Sequence, residues 1–116
     1  MTRRQKIEAK LDDIVSQIIR KRDKSCITCG CETGLSTGHF MKRRHLATRW
    51  SLQNCNAQCF TCNCEDDWDK YREAMKRVHG EEITEQLITT SRADIKFTTS
   101  ELEEMYEQLK NYSKLI

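Results

Sequence analysis

The chain has 116 residues, 37% of them apolar and 33% charged, with seven cysteines and no proline. That is enough for one domain with a thin core, which a structural metal would help to hold, and no apolar run is long enough to span a membrane. The net charge of +2 is uneven: residues 1–50 carry twelve Lys/Arg against five Asp/Glu, and residues 51–116 carry eight against thirteen, so the first half suits phosphate backbones and the second is repelled by them.

The first predicted element is an amphipathic helix over residues 5–21. Ile7, Leu11, Ile14, Val15, Ile18 and Ile19 recur at helical spacing. Its basic end, Arg20-Lys21-Arg22, suits the C-terminal dipole and can reach phosphate. Residues 26–34 read as a zinc knuckle, and residues 35–40 and 52–58 as short strands. The connection between the strands is basic, with Lys42, Arg43, Arg44, His45 and Arg49. A second helix is expected from Cys62 to Val78 or His79, with Trp68, Tyr71, Met75 and Val78 as its apolar stripe and Gly80 as its stop. A shorter helix follows, with Ile83, Leu87 and Ile88 inward. The last helix is expected to start at Ser100, boxed with Glu103, and to bury Leu102, Met105, Tyr106, Leu109 and Tyr112. The expected organisation is a single domain over 1–116: an N-terminal helix in 1–24, a zinc-bearing core in 25–80 and C-terminal helices in 81–116. The polar N-terminus does not suit a signal peptide, and the paired cysteine spacing favours zinc in a reducing cytoplasm over disulfides.

Four motifs carry chemistry. Cys26-x-x-Cys29 and Cys59-x-x-Cys62 supply four thiolates, which close a tetrahedral, structural zinc site. Cys31 and Cys64 each follow a pair by two residues and read as spare thiols near the metal or as plain small residues; Cys55 has no assigned role. His39, after Gly38 inside the zinc-tied loop, is a candidate general base that deprotonates water for in-line attack on a phosphodiester; a packing histidine is the alternative. Asn54 is placed to tie the loop between the strands through its amide. Asn63 and, four residues on, Asp67 offer hard oxygen ligands on one face of the expected helix, suited to Mg²⁺ or Mn²⁺; helix capping and dipole stabilisation are their alternatives. Lys42, Arg43, Arg44 and Arg49 are the candidate DNA-binding cations. Trp50 reads as a core residue or as a base-stacking one.

The string Cys26-x-x-Cys-Gly, Gly38-His-Phe-x-x-Arg-Arg-His-x-x-Thr-Arg-Trp50, Asn54 and Gln58-Cys-x-x-Cys-Asn63 resembles the NinG (Rap) family of lambdoid phage recombination proteins. The similarity extends to the preceding helix and to Tyr71–Gly80. The resemblance implies a zinc-containing branch of the HNH, or His-Me finger, nucleases, which cut branched DNA such as D-loops and Holliday junctions. It assigns His39 as base, Asn54 as the loop-fixing residue, Asn63 as metal ligand and Asp67 as a further ligand. One position departs from the pattern: where many HNH enzymes place an acidic or histidine ligand before the base, this chain has Gly38. Asp67, Asp66, Glu65 or His45 would then supply the missing ligand.

The expectation is therefore a small α+β protein with a zinc-stapled ββα-metal (HNH/treble-clef-like) core flanked by helices. It would act as a Mg²⁺- or Mn²⁺-dependent endonuclease on branched or partly single-stranded DNA in the bacterial host cytoplasm. A homodimer would suit a two-fold junction. The rivals are a non-catalytic DNA-binding zinc module, which Gly38 favours, and a recombination adaptor working through its acidic helices.

Overall fold

A computed structural model describes residues 1–116. The elements in chain order are α1 (Arg3–Arg22), β1 (Leu35–His39), α2 (Leu46–Arg49), β2 (Cys55–Cys59), α3 (Phe60–Glu65), α4 (Trp68–His79), α5 (Glu81–Ser91) and α6 (Thr99–Leu115). The fold is a small α+β arrangement of six helices and one two-stranded sheet. No helix is long and apolar enough to cross a membrane.

The two strands form a septum. They pair antiparallel, with Leu35 opposite Cys59 and His39 opposite Cys55. Side chains alternate across a strand, so Cys55 and Ala57 face α1 while Asn56 and Gln58 face the other way. Both faces of β2 are covered, and all five of its residues are buried. On the α1 side, Ile7, Leu11, Val15 and Ile19 pack with Trp50, Cys55, Ala57 and Leu102 of α6. On the far side, Phe40 packs with Tyr71 and Met75 of α4 and Leu87 and Ile88 of α5. The helices supply the bulk of both half-cores because five-residue strands have little apolar surface of their own.

α1 follows its expected stripe and opens with a capping box, Thr2 with Gln5. Beside it α6 runs parallel: Arg3 pairs with Glu103 at one end, and the Lys21 ammonium donates to Ser113 O at the other. The apolar face of α6 is thus spent on closing the core. β2 is Cys55–Cys59 instead of 52–58, and the basic connection contains the short helix α2, which propensity did not announce.

Three expectations need correction. The helix expected from Cys62 to His79 is two helices, broken where Asp66 takes a left-handed conformation (φ 52°, ψ 43°) and Asp67 caps α4 through Lys70 N. Asn63 and Asp67 therefore do not share a helix face. Val78, expected inward, is 58% exposed, and Ala74 takes its place in the buried stripe. The last helix is capped by Thr98, boxed with Glu101, two residues earlier than Ser100 with Glu103; Tyr112 is largely exposed.

Candidate functional site

The cysteine centre is built by two tight turns brought together by the sheet. Gly30, at φ 81°, turns the first knuckle, which closes through Gly30 N to Cys26 O and Cys26 N to Cys31 O. Ile27 N donates to Ala57 O and Phe60 N to Gly34 O, which lays this knuckle against the end of β2, where Cys59 ends the strand and Cys62 sits in the first turn of α3. The ligand atoms of Cys26, Cys29, Cys59 and Cys62 all lie within 4.8 Å of one another, and the Cys29 and Cys59 sulfurs are 3.7 Å apart. A zinc–thiolate tetrahedron with bonds of about 2.3 Å has S–S edges of about 3.8 Å. Burial pushes the Cys26 thiol up, but backbone N–H groups of Cys29, Cys59 and Thr28 outweigh it and bring the thiol down to about 6. The four cysteines can hold a structural zinc ion. Cys31 Sγ donates to Thr33 O at 3.5 Å, Cys64 is exposed on α3, and Cys55 is a fully buried core residue facing α1.

His39 ends β1 on the α1 face. Its Nε2 lies 3.0 Å from Arg49 O. A carbonyl only accepts, so Nε2 carries the proton and the lone pair is left on Nδ1, which has no partner in the protein. Burial holds the imidazole below its ordinary value of 6.5, so it is neutral near pH 7. The ring lines a cavity of about 210 Å³ with Asp12, Ser16, Thr37, Arg43 and Arg49.

Asp12 is the residue that the sequence did not single out. It sits on the cavity side of α1 and accepts from Arg43 Nη2 at 2.8 Å, Arg49 Nη2 at 2.7 Å and Nε at 3.1 Å, and Trp50 Nε1 at 2.8 Å. Burial alone would raise its carboxyl, but the Arg49 and Trp50 hydrogen bonds and the Arg43 charge hold it below the usual carboxylate range. Trp50 is 4% exposed, so it is a core residue and not a stacking platform.

The basic connection is pinned by Asn54, which is fully buried. Its Oδ1 accepts from Met41 N at 2.8 Å and its Nδ2 donates to Met41 O at 3.0 Å. The four candidate DNA-binding cations are not equivalent. Arg49 is held by Asp12 and by Glu8; Arg43 reaches Asp12 but keeps an exposed side chain; Lys42 pairs with Asp66; Arg44 is exposed and has no ion-pair partner. Arg22 is spent internally on Asp23, Leu52 O, Cys55 O and Asn56.

Neither Asn63 nor Asp67 lines the His39 cavity. Asn63 is exposed on α3 with its amide unengaged. The carboxylates after it are each occupied: Glu65 with Lys70, Asp66 with Lys42, and Asp67 as the α4 cap. Gly38 has a structural reason to lack a side chain. A Cβ there would collide with the side-chain amide of Gln58, which is buried and donates to Thr28 Oγ1 at 2.9 Å. Behind Gly38, Tyr71 Oη donates to its carbonyl at 2.8 Å, Asn56 Nδ2 donates to Tyr71 Oη, and His79 Nε2 donates to Asn56 Oδ1 at 2.8 Å. This buried polar chain fixes the strand that carries His39.

The model of the family described as bacteriophage lambda NinG protein matches residues 1–116. Comparison with curated proteins and with solved structures gives no significant match. The match spans the whole chain, and the chain belongs to the NinG family.

Proposed function

We propose that this NinG-family chain is an HNH-type endonuclease that hydrolyses phosphodiester bonds in branched DNA, D-loops and Holliday junctions among them, during phage recombination in the host cytoplasm. The observation that carries the reading is His39: a neutral imidazole, its Nε2 proton committed to Arg49 O and its Nδ1 lone pair free beside a cavity with arginines on its wall. Nδ1 takes a proton from water, and the hydroxide attacks phosphorus in line as the P–O bond to the leaving oxygen breaks, that oxygen departing with the electron pair and taking a proton from solvent. Arg43, whose guanidinium is 61% exposed, and Arg44 bind the phosphate and offset the charge that builds on it. Arg49, locked by Asp12, orients the histidine through its carbonyl.

A divalent ion, Mg²⁺ or Mn²⁺, would supply stabilisation of the leaving oxyanion. The free chain does not present a ready site for it. Asn63 and Asp67 lie on separate helices, and the neighbouring carboxylates are paired. Only the four cysteines form a cluster of metal-ligating side chains. Incubating the protein with linear, forked and four-way DNAs, with and without Mg²⁺, tests the reading: the expected result is Mg²⁺-dependent cutting of the branched substrates.

The same absence of a ready oxygen site favours a second reading, a non-catalytic DNA-binding zinc module. It predicts affinity for those DNAs and no strand cleavage under any metal.

A further inference from the structure

The sequence divides into a basic first half and an acidic second half, yet the fold joins cations from both. Arg3, Lys6 and Lys10 recur at three- and four-residue spacing on α1, and Tyr106, Lys110 and Lys114 at four-residue spacing on α6. The two helices run side by side, and the groove along their seam holds two adjoining cavities of about 260 and 250 Å³ that share Lys10. Two carboxylates lie on its walls: Glu103 pairs with Arg3, and Asp13 accepts from the neutral Gln17 Nε2 at 3.0 Å and keeps its charge. Lys6, Lys10, Lys110 and Lys114 have no carboxylate partner. Lys10 lies 5.8 Å above the Tyr106 ring.

With Arg3, the four ammonium groups outnumber the two carboxylates on the groove walls, Glu103 and Asp13, by five to two, and neither half-core needs them. We propose that this groove is a second nucleic-acid surface, distinct from the His39 cavity, which binds the phosphate backbone of a second DNA arm. The cavity-lining residues Asp12, Val15 and Ser16 and the groove-lining residues Arg3, Lys6 and Lys10 lie roughly 160° apart around α1, at 100° per residue. A straight duplex seated at His39 leaves the groove free, whereas a branched DNA brings a second backbone around the helix. The inference rests on DNA being the partner, as the proposed function has it. It adds a surface that senses the branch.

The test is binding of a four-way junction and of a linear duplex across a salt series. The variants are Lys10→Gln/Lys110→Gln, Lys6→Gln/Lys114→Gln, and a control with the same charge change elsewhere, Lys24→Gln/Lys96→Gln. Melting temperature and zinc content are read alongside. Each groove variant is expected to weaken junction binding about tenfold and to reduce the log–log salt slope by roughly 1.8, two contacts at about 0.9 each. Linear-duplex affinity is expected to change far less, and the control to follow wild type.

If the groove variants bind the junction with unchanged affinity and slope while His39→Ala abolishes cutting, the groove inference fails and the nuclease reading stands. If they lose junction affinity in a wild-type protein that cuts nothing, the groove stands and the nuclease reading fails. Equal losses in the control overturn the groove by reducing it to net charge. A wild type with no DNA affinity overturns both.

Discussion

Asp12 organises the candidate centre more than any residue the sequence singled out. One carboxylate takes four hydrogen bonds from two arginines and an indole, and through Arg49 it fixes the carbonyl that sets the His39 tautomer. Asp12→Ala leaves the largely buried Arg49 guanidinium with only Glu8, at 3.8 Å, as a partner and is expected to cost about 3 kcal/mol, measurable by denaturant unfolding. Arg49→Ala is expected to destabilise similarly. Arg44→Ala, which breaks no ion pair, is expected to leave stability unchanged and to weaken DNA binding. His39 shares with Asp12 a loss of stability as pH falls, but in a higher pH range. Burial lowers its folded value from 6.5 and favours the neutral form, so the unfolded chain binds more protons as pH falls through that range. The stability contribution is full above pH 6.5, declines below it and is gone below the folded value; His79, also lowered by burial, adds to the same trend. Cleavage, with His39 as the base, is expected to reach half its maximal rate below pH 6.5. The role of Asp12 was illegible in the sequence because nothing near it in the chain announces a partner: Arg43 and Arg49 lie 31 and 37 residues away.

At the scale of elements, the readable features were those with local periodicity or fixed spacing. The α1 stripe and the two cysteine pairs are of this kind. The break at Asp66 was not, because a left-handed aspartate replaces the glycine that usually marks such a turn. The start of α6 was ambiguous for a different reason. Thr98-x-x-Glu101 and Ser100-x-x-Glu103 both spell a capping box, and Glu103 is drawn instead to Arg3. Thr98→Ala is accordingly expected to cost about 1 kcal/mol, and Ser100→Ala very little. The cysteine centre joins the knuckle to the sheet and α3. Cys59→Ser is expected to forfeit metal-coupled folding energy on the order of 10 kcal/mol. Metal analysis and thermal melting would show one zinc per wild-type chain and an unfolded or aggregating variant.

For the whole molecule, a thin sheet divides two half-cores. His39 faces α1, while the Tyr71–Asn56–His79 chain braces the strand from behind. This places His39 where α1, the strand end and the basic connection meet. Asp66 is paired with Lys42, and Asp67 caps α4 through one oxygen, so an ion site built on them would draw on Asp67 Oδ2 or on an Asp66 released from Lys42. Under the proposed function, Asp67→Ala is expected to raise the Mg²⁺ concentration needed for cutting. The most direct measurement of the central claim is single-turnover cleavage of a four-way junction in Mg²⁺ by wild type and His39→Ala, with DNA affinity measured on the same samples. The account predicts strand cuts by wild type, and loss of cutting in His39→Ala with affinity held within a few-fold. Cutting by His39→Ala at the wild-type rate, or no cutting by a wild-type protein that binds the junction, would contradict it.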